Sequence, residues 1–561
     1  MVDVVDTWLA EGAILATLHF PEQGSDAGVV VCAPIGQDYT VAYRTLRHLA
    51  DSVARGGAAG AGAGGLAVVR YDHPGFGDST VPLADDSLEQ GARLAAAALR
   101  RAGVTRVVYL GLGSGALVAS AAAAADPDAA GLVLWDPAAS GRQWLRRQRS
   151  LYTMAVDQVA EPTPDGLVEI AGAEFPASFA VHISGLDYSA EPVGRMPVLV
   201  ARRSGASGTV PKSLRPVEGR LAVVEVPGHE AALDVSSVLA TIPAESVRLV
   251  TRWLVDTFGG TTKNLEVPAS TGEALVVENG VVLTESLVRI GQHDLFAVET
   301  RPADADSSIP GVVLHNGSAE HRVGTTRHQV LLARKMASRG MRVLRVDRRG
   351  TGETGVVSPH EQSLLYTQQW VEDGEDAVAY LKLPREKVGV VGMCVGAWIG
   401  LVAKPEATRF IAALSLNDHR VNTVGPGVQV ARDTSEPATV SWMRHAVNRS
   451  IAFAKDHLPY QAAVSLASRG VIQFAEPNLR RALSAGTNVS LFLAPEDTRI
   501  FDAHGGRRAA DRLAAAPGRL TVAEQATGDH ALYSPGIRAE AIDWSVEQAA
   551  SEFGLVAAPA S

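Results

Sequence analysis

Residues 388–403 read VGVVGMCVGAWIGLVA, a stretch that predicts a buried strand, a sharp turn and a helix in direct succession. The run 388–391 is short and apolar, which is typical of a strand buried on both faces of a parallel sheet. Cys394 follows it, with Gly392 two residues before and Gly396 two residues after. Small residues at these two places let a tight strand-to-helix turn close, so we predict that the turn presents the Cys394 thiol.

Working outward from this turn, strands and helices alternate twice along the chain, which predicts two mostly parallel sheets flanked by helices. The predicted strands of the first half are 28–33, 66–71, 104–110, 130–135, 197–201 and 221–226. Those of the second half are 311–314, 341–347, 387–392, 410–416, 488–494 and 519–523. An antiparallel pair is expected ahead of each set, at 3–9 with 13–20 and at 285–289 with 295–300.

Short motifs recur at matching places in the two halves. Residues 72–79 (DHPGFGDS) parallel 347–354 (DRRGTGET), and 111–116 (GLGSGA) parallel 392–397 (GMCVGA). A repeat of whole-domain length indicates two tandem domains rather than a solenoid. We predict domains at 1–258 and 279–561 joined by a polar linker at 259–278, with a cap inserted into the second domain at about 417–484.

Composition excludes several classes of protein. The net charge is −10 with no basic block, which argues against a nucleic-acid partner. No apolar run is long enough for a membrane span, and the first residues lack the pattern of a secretory signal, so we expect a cytoplasmic protein without a membrane partner. Two cysteines in different halves make a disulfide framework improbable. No metal or other cofactor is expected, and a homo-oligomer remains open.

The order of these motifs resembles the α/β-hydrolase superfamily, twice over nearly the whole chain. Residues 135–142 (WDPAASGR) and 321–324 (HRVG) are similar to the bacterial serine-aminopeptidase-like and exosortase-associated hydrolases. The G-x-C-x-G form of residues 392–396 is similar to dienelactone hydrolases, which use a Cys-His-Asp set. The resemblance implies the chain order nucleophile, acid, histidine.

That order points to three residues of the second half. Cys394 is the expected nucleophile, activated at the start of a helix. His530 follows the last predicted strand and is the expected base. Asp497 follows the penultimate strand and is the expected acid that orients the histidine, with Glu496 as the reserve.

The loop after the strand 311–314 is expected to complete the site. The oxyanion donors would be the backbone N–H of Val395 and one from Gly317 or Ser318. The predicted substrate-lining residues are His315, Asn316, Arg322 and Trp442. A structural role for His315 and a salt bridge for Arg322 are equally open.

Other residues receive simpler interpretations. Cys32 lies in an apolar strand and is expected to be a small core residue. The doublet Arg348-Arg349 is expected to be a turn signature with a solvated face. In the first half Gly113 aligns with Cys394, and Ser204 aligns with Asp497, so we expect a degenerate domain without catalysis.

These expectations favour an acyl-transfer enzyme that hydrolyses an ester or thioester of a small acyl substrate, either free or carrier-bound. An acyltransferase or cyclase that passes the acyl group to an amine, alcohol or thiol is the first alternative, since a thioester stays reactive toward amines. A scaffold without catalysis is the second. Reactivity of the Cys394 thiol discriminates this last interpretation from the other two.

Overall fold

The protein was analysed as a computed structural model of the 561-residue chain. The structure describes residues 2–57, 64–156, 164–205, 210–234, 240–355, 365–423 and 458–555. Trp442 and the central part of the predicted cap lie outside the described residues.

The first domain is built on an eight-stranded sheet. Its strands are β1 (Asp3–Leu9), β2 (Ile14–Phe20), β3 (Ala27–Cys32), β4 (Ala67–Tyr71), β5 (Arg106–Leu112), β6 (Ala129–Trp135), β9 (Val198–Arg203) and β10 (Ala222–Val226). A separate hairpin is formed by β7 (Leu167–Ile170) and β8 (Ala173–Pro176). The order across the sheet is β1-β2-β4-β3-β5-β6-β9-β10, in which β1 and β2 are antiparallel and the remaining neighbours from β4 onward are parallel.

The second domain repeats this order with one added edge strand. Its strands are β11 (Glu273–Glu278), β12 (Val281–Ile290), β13 (Leu295–Pro302), β14 (Gly311–His315), β15 (Arg342–Val346), β16 (Val388–Met393), β17 (Phe410–Leu414), β18 (Asn488–Leu493) and β19 (Leu520–Glu524). They follow the order β11-β12-β13-β15-β14-β16-β17-β18-β19. Both sheets thus share one strand order and are mostly parallel, and the predicted fold class of two α/β domains is confirmed.

Helices cover both faces of each sheet because the central strands are buried on both sides. The helices described in the first domain are α1 (Gln37–Ala54), α2 (Ser87–Arg101), α3 (Gly115–Ala125), α4 (Gly141–Val156), α5 (Ala177–Gly185), α6 (Glu191–Arg195), α7 (His229–Ala232) and α8 (Ala244–Phe258). Those described in the second are α9 (His328–Ser338), α10 (Gln368–Tyr380), α11 (Val395–Val402), α12 (Tyr460–Ser468), α13 (Glu476–Ser484), α14 (Pro495–Ala503), α15 (Gly506–Leu513) and α16 (Pro535–Phe553). None of the helices within the described ranges is long and apolar enough to cross a membrane.

The segment predicted as a linker at 259–278 is partly a strand. Its last residues, Glu273–Glu278, form β11 and pair with β12 at the edge of the second sheet. The preceding residues run along the first domain, where Thr271 accepts a hydrogen bond from the Trp8 N–H at 3.0 Å. The apolar run 274–277 (ALVV) is only four residues long and directly follows the polar segment 259–273, so the sequence does not separate it from the linker.

Two reciprocal ion pairs join the domains at equivalent places. Arg70 on β4 donates from both terminal nitrogens to the Glu353 carboxylate at 2.9 Å, and Arg345 on β15 pairs with Asp78. Arg70 and Arg345 each lie two residues before the aspartate that begins the repeated motif, residues 72–79 and 347–354. Asp78 and Glu353 occupy the same position within that motif. The domains therefore meet through matching surfaces, as the subunits of a two-fold dimer do.

These charges are removed from water. Arg345 and Asp78 are both 0% exposed, and the Tyr43 hydroxyl donates to Glu353 at 2.5 Å. Breaking a buried pair by removing one partner costs about 3–5 kcal/mol, because the remaining charge stays buried without compensation. We infer that each domain depends on the other for its stability.

Candidate active site

Cys394 lies at the turn between β16 and α11 in a strained backbone conformation. Its φ is 51° and its ψ is −115°, which non-glycine residues adopt rarely and at a cost of about 1–3 kcal/mol. The Cys394 N–H donates to the Leu414 carbonyl at 2.9 Å, which anchors the turn to β17. Such strain is expected where a side chain must be presented at the edge of a sheet.

The two flanking glycines are required by close backbone contacts. A Cβ added to Gly392 would lie 2.2 Å from the Gly396 carbonyl oxygen, and one added to Gly396 would lie 2.2 Å from the His315 carbonyl oxygen. Both distances are far inside van der Waals contact. The small residues at these positions therefore have the role that the sequence predicted for them.

The structure brings His530 and Asp497 together behind this turn. His530 Nδ1 lies 2.7 Å from Asp497 Oδ1, and Asp497 is fully buried in the first turn of α14. Burial alone would lower the pKa of His530, but hydrogen bonds and negative charge from Asp497 and Cys394 raise it well above its ordinary value. The imidazole is thus hydrogen-bonded to Asp497 and lies close enough to Cys394 to interact with it.

Two further side chains approach His530 and Cys394. The Asn417 amide nitrogen lies 3.4 Å from Nε2 and 3.5 Å from Nδ1 of His530. Tyr366 packs edge-on against Trp398 of α11, and burial together with the nearby Cys394 thiol raises the pKa of its hydroxyl. Neither residue was predicted from the sequence. Asn417 could have been noted because it comes just after β17, at the strand edge where the site forms.

The predicted oxyanion loop, residues 315–318, lies against Cys394. A Cβ added to Gly317 would come 3.4 Å from the Cys394 Cβ. The Gly317 N–H, however, donates to Asn316 Oδ1 at 2.8 Å, so this predicted donor is already engaged. Asn316 is 2% exposed and donates from its amide to the His321 carbonyl at 2.7 Å. It holds the loop, whereas the sequence predicted contact with substrate.

Arg348 also holds the loop 315–318 in place. It donates to the Ser318 carbonyl at 2.9 Å and to the Gly317 carbonyl at 3.3 Å, and its guanidinium stacks 4.1 Å from the Trp370 ring centroid. Burial lowers its pKa to about 10, although Asp373 and Cys394 act in the opposite direction. Arg348 is 1% exposed, so the expectation of a solvated face is wrong for this residue. A polar turn motif does not reveal which side chain folds inward.

Two other predicted substrate contacts are buried elsewhere. Arg322 is 2% exposed and pairs with Asp78 at 2.7 Å and with Asp347 at 2.8 Å, so its charge belongs to the domain interface. His315 is 1% exposed at the end of β14, and burial with the nearby Arg348 lowers its pKa to about 3. Neither side chain is available to a substrate, because each is enclosed by protein.

The first domain has the same turn without a nucleophile. Gly113 stands where Cys394 does, with φ 60° and its N–H donating to the Trp135 carbonyl at 3.0 Å. The Ser114 hydroxyl accepts from the Ile35 N–H at 3.1 Å. Ser114 is therefore one residue past the apex and its hydroxyl is engaged. His229 is 1% exposed and packs edge-on against Trp135.

The strand register corrects one alignment in this domain. Trp135 pairs with Ala201, and Leu414 pairs with Phe492, so Ser204 corresponds to Pro495 and not to Asp497. The counterpart of Asp497 falls at position 206, outside the described residues. Residues 201–210 contain no carboxylate, which leaves the conclusion of a missing acid unchanged.

Replacing Gly113 by alanine is expected to leave turnover unchanged. The new Cβ would meet only Pro34 at 3.8 Å, an ordinary contact, so the cost is the left-handed backbone, about 1–2 kcal/mol. Steady-state kinetics and the unfolding free energy of Gly113→Ala, measured beside Gly396→Ala, test this. Gly396→Ala should lose activity because of its clash with His315. A comparable loss in Gly113→Ala would contradict the assignment of the site to the second domain.

Comparison with known proteins identifies no family for this chain. No family model matches the sequence, and no curated protein matches it. Among solved structures, a dienelactone hydrolase from Anabaena variabilis matches with a TM-score of 0.29 and 13% identity, covering 49% of this chain and 96% of its own. An esterase from the archaeon Pyrobaculum calidifontis matches with a TM-score of 0.30 and 15% identity, covering 49% and 86%. These similarities transfer no residue role to this chain.

Proposed function

We propose that this protein is an acyl-transfer enzyme that hydrolyses an ester or thioester through Cys394, Asp497 and His530. The supporting observation is the placement of one imidazole between a buried carboxylate at 2.7 Å and a thiol at a strained strand-to-helix turn. A histidine with only a structural role would not require a thiol presented beside it at a strained turn. The substrate is a small acyl compound, either free or carrier-bound.

The first half of the reaction forms a thioester. With its proton on His530, the Cys394 thiolate attacks the acyl carbon, and a C–S bond forms as the carbonyl oxygen becomes an oxyanion. The carbon–oxygen or carbon–sulfur bond to the leaving group then breaks. The leaving group takes the proton from His530, while Asp497 keeps the imidazole in place.

The second half returns the enzyme to its starting state. Neutral His530 takes a proton from water, which attacks the thioester carbon, and the thiolate leaves as the carboxylic acid forms. We propose the N–H groups of Val395 and Ser318 as the oxyanion donors. Val395 begins α11, where N–H groups have no acceptor within the helix. Ser318 corresponds to Ile35, whose N–H in the first domain points at the equivalent helix start.

Trapping the intermediate tests the proposal. The full chain would be mixed with N-acetylcysteamine thioesters and p-nitrophenyl esters of acetic and hexanoic acid, quenched in acid and examined by intact mass and peptide mapping. We expect one acyl group on Cys394. The matched control is Cys32→Ser, because Cys32 is fully buried and burial raises the pKa of its thiol to about 12.

Competition between water and an amine then identifies the acceptor. Release of free acid alone supports a hydrolase. Amide formation that outcompetes acid release supports the acyltransferase or cyclase, which the thioester chemistry also permits. Absence of any adduct with all four probes, together with a thiol inert to iodoacetamide at neutral pH, would overturn both and leave a scaffold.

A further inference from the structure

The loop that carries His530, residues 528–534 and here called the His530 loop, is shaped by Asp529. The Asp529 carboxylate accepts from the N–H groups of Tyr533 and Ser534, each at 2.8 Å, and from the Ser534 hydroxyl at 2.9 Å. Leu532 adopts a left-handed φ of 57° in the same loop. This conformation is costly for leucine, so the surrounding contacts must maintain it.

One of those contacts comes from the first domain. Arg538, in the first turn of α16, donates to the Tyr533 carbonyl at 2.7 Å and to the Leu532 carbonyl at 3.2 Å. Its other terminal nitrogen pairs with Glu174 on β8 of the first domain. Arg538 is 3% exposed, so Glu174 fixes a guanidinium that has little freedom to find another partner.

A second contact comes from the helix beside that hairpin. Tyr152 of α4 lies near Ser534 and Asp529. Burial first, and then Glu169 on β7 and Asp529, raise the pKa of its hydroxyl. The first domain therefore approaches the His530 loop through two separate elements, β8 and α4.

We propose that the first domain, although it lacks a nucleophile, belongs to the catalytic unit because Glu174 positions the His530 loop through Arg538. The inference rests on the proposed function, since it makes His530 the base that the loop must hold. Glu174 and Arg538 act as positioning residues, and neither touches the reacting atoms. A misplacement of about 1 Å at a catalytic group can lower turnover by as much as about 10²-fold.

The test compares two variants that each remove one ion pair between the same domains. Glu174→Gln removes the pair at the His530 loop. Asp6→Asn removes the pair between Asp6 and Arg289, at the antiparallel strands of the two domains, and keeps the oxygen that accepts from Thr17. We expect Glu174→Gln to lower kcat about 10-fold with KM unchanged, and Asp6→Asn to change neither. Equal kcat in the two variants would overturn the proposal.

The double variant Glu174→Gln with Arg538→Met separates positioning from general destabilisation. If Glu174 acts only through Arg538, the double variant has the kcat of Arg538→Met alone. If the two substitutions instead lower kcat independently, so that their effects multiply in the double variant, Glu174 does not act through Arg538.

Hydrogen–deuterium exchange provides a readout that does not depend on activity. In Glu174→Gln the amides of Tyr533 and Ser534 should exchange faster than in the wild type and in Asp6→Asn. Unchanged exchange at these two amides overturns the positioning role, whatever the kcat of the variant. Faster exchange in a chain that forms no adduct on Cys394 would keep the positioning role and refute the proposed function.

Discussion

Cys394→Ala and His530→Ala should each lower kcat by about 10⁶-fold, the loss seen when the nucleophile or the base of such a set is removed. Cys394 supplies the atom that bonds to the acyl group, and without His530 the thiol keeps its proton. KM should change little, because neither side chain is expected to hold the remote part of the substrate. Steady-state hydrolysis of p-nitrophenyl acetate is the measurement.

The same three residues should behave as one unit. The double variant Cys394→Ala with His530→Ala is expected to be no worse than either single variant, because removing one member already disables the set. Asp497→Asn should lose less, since it changes the orientation of the imidazole and leaves thiol and base present. Cys32→Ser is the control with full activity. Full activity in Cys394→Ala would refute the assignment, and full activity in Cys394→Ser would refute the role of the thiolate.

The strands and the strand-to-helix turn at Cys394 could be predicted because their signals are local. A valine-rich run such as 388–391 is buried on both faces in any parallel sheet, and β16 begins at its first residue. The turn motif needs only Gly392 and Gly396 in sequence. His530 and Asp497 could be found because each follows a strand whose order in the fold is known.

The remaining parts of the site depend on contacts between distant segments. Arg322 was expected to contact substrate, but its partner Asp78 lies in the other domain, 244 positions earlier in the chain. Arg348 and Arg349 are neighbours in one polar motif, yet Arg348 folds under the oxyanion loop while Arg349 pairs with Asp373 on α10. No periodicity distinguishes the two. Which arginine turns inward is decided by Trp370, over which Arg348 stacks.

Acidification should destabilise this protein at pH values above those at which ordinary carboxylates are protonated. Burial lowers the pKa of six histidines. It lowers the pKa to about 4 for His73, His321 and His328 and to about 3 for His315, and it also lowers the pKa of His19 and His229. A histidine with a lowered folded-state pKa stabilises the fold above its unfolded value of about 6.5, and this stability is lost as the pH falls toward the folded value. The window therefore runs from about pH 6 to pH 4.

Four carboxyl groups act in the opposite direction within that window. Burial raises the pKa of Asp38 and of Asp72 to about 6 each, and it also raises the pKa of Glu320 and Asp373, so the folded state takes up these protons before the unfolded state does. Six histidines against four carboxyl groups leave about two protons in favour of unfolding. At about 1.4 kcal/mol per proton and pH unit, stability should fall by roughly 5 kcal/mol between pH 6 and pH 4. That is comparable to the whole stability of many proteins.

Urea unfolding followed by tryptophan fluorescence at pH 7, 6, 5 and 4 measures this loss. His328→Asn is the matched variant, because the asparagine amide can replace the Nδ1 contact to the Thr325 carbonyl, 2.9 Å long, without a titrating ring. Its stability should fall less steeply with acid, by up to about 1.4 kcal/mol per pH unit. His530 does not contribute here, since its pKa is raised and its stabilisation is already complete below about pH 6.5. Equal unfolding free energies at pH 7 and pH 5 would contradict the prediction, because they would mean that these histidines take up protons equally in the folded and the unfolded chain.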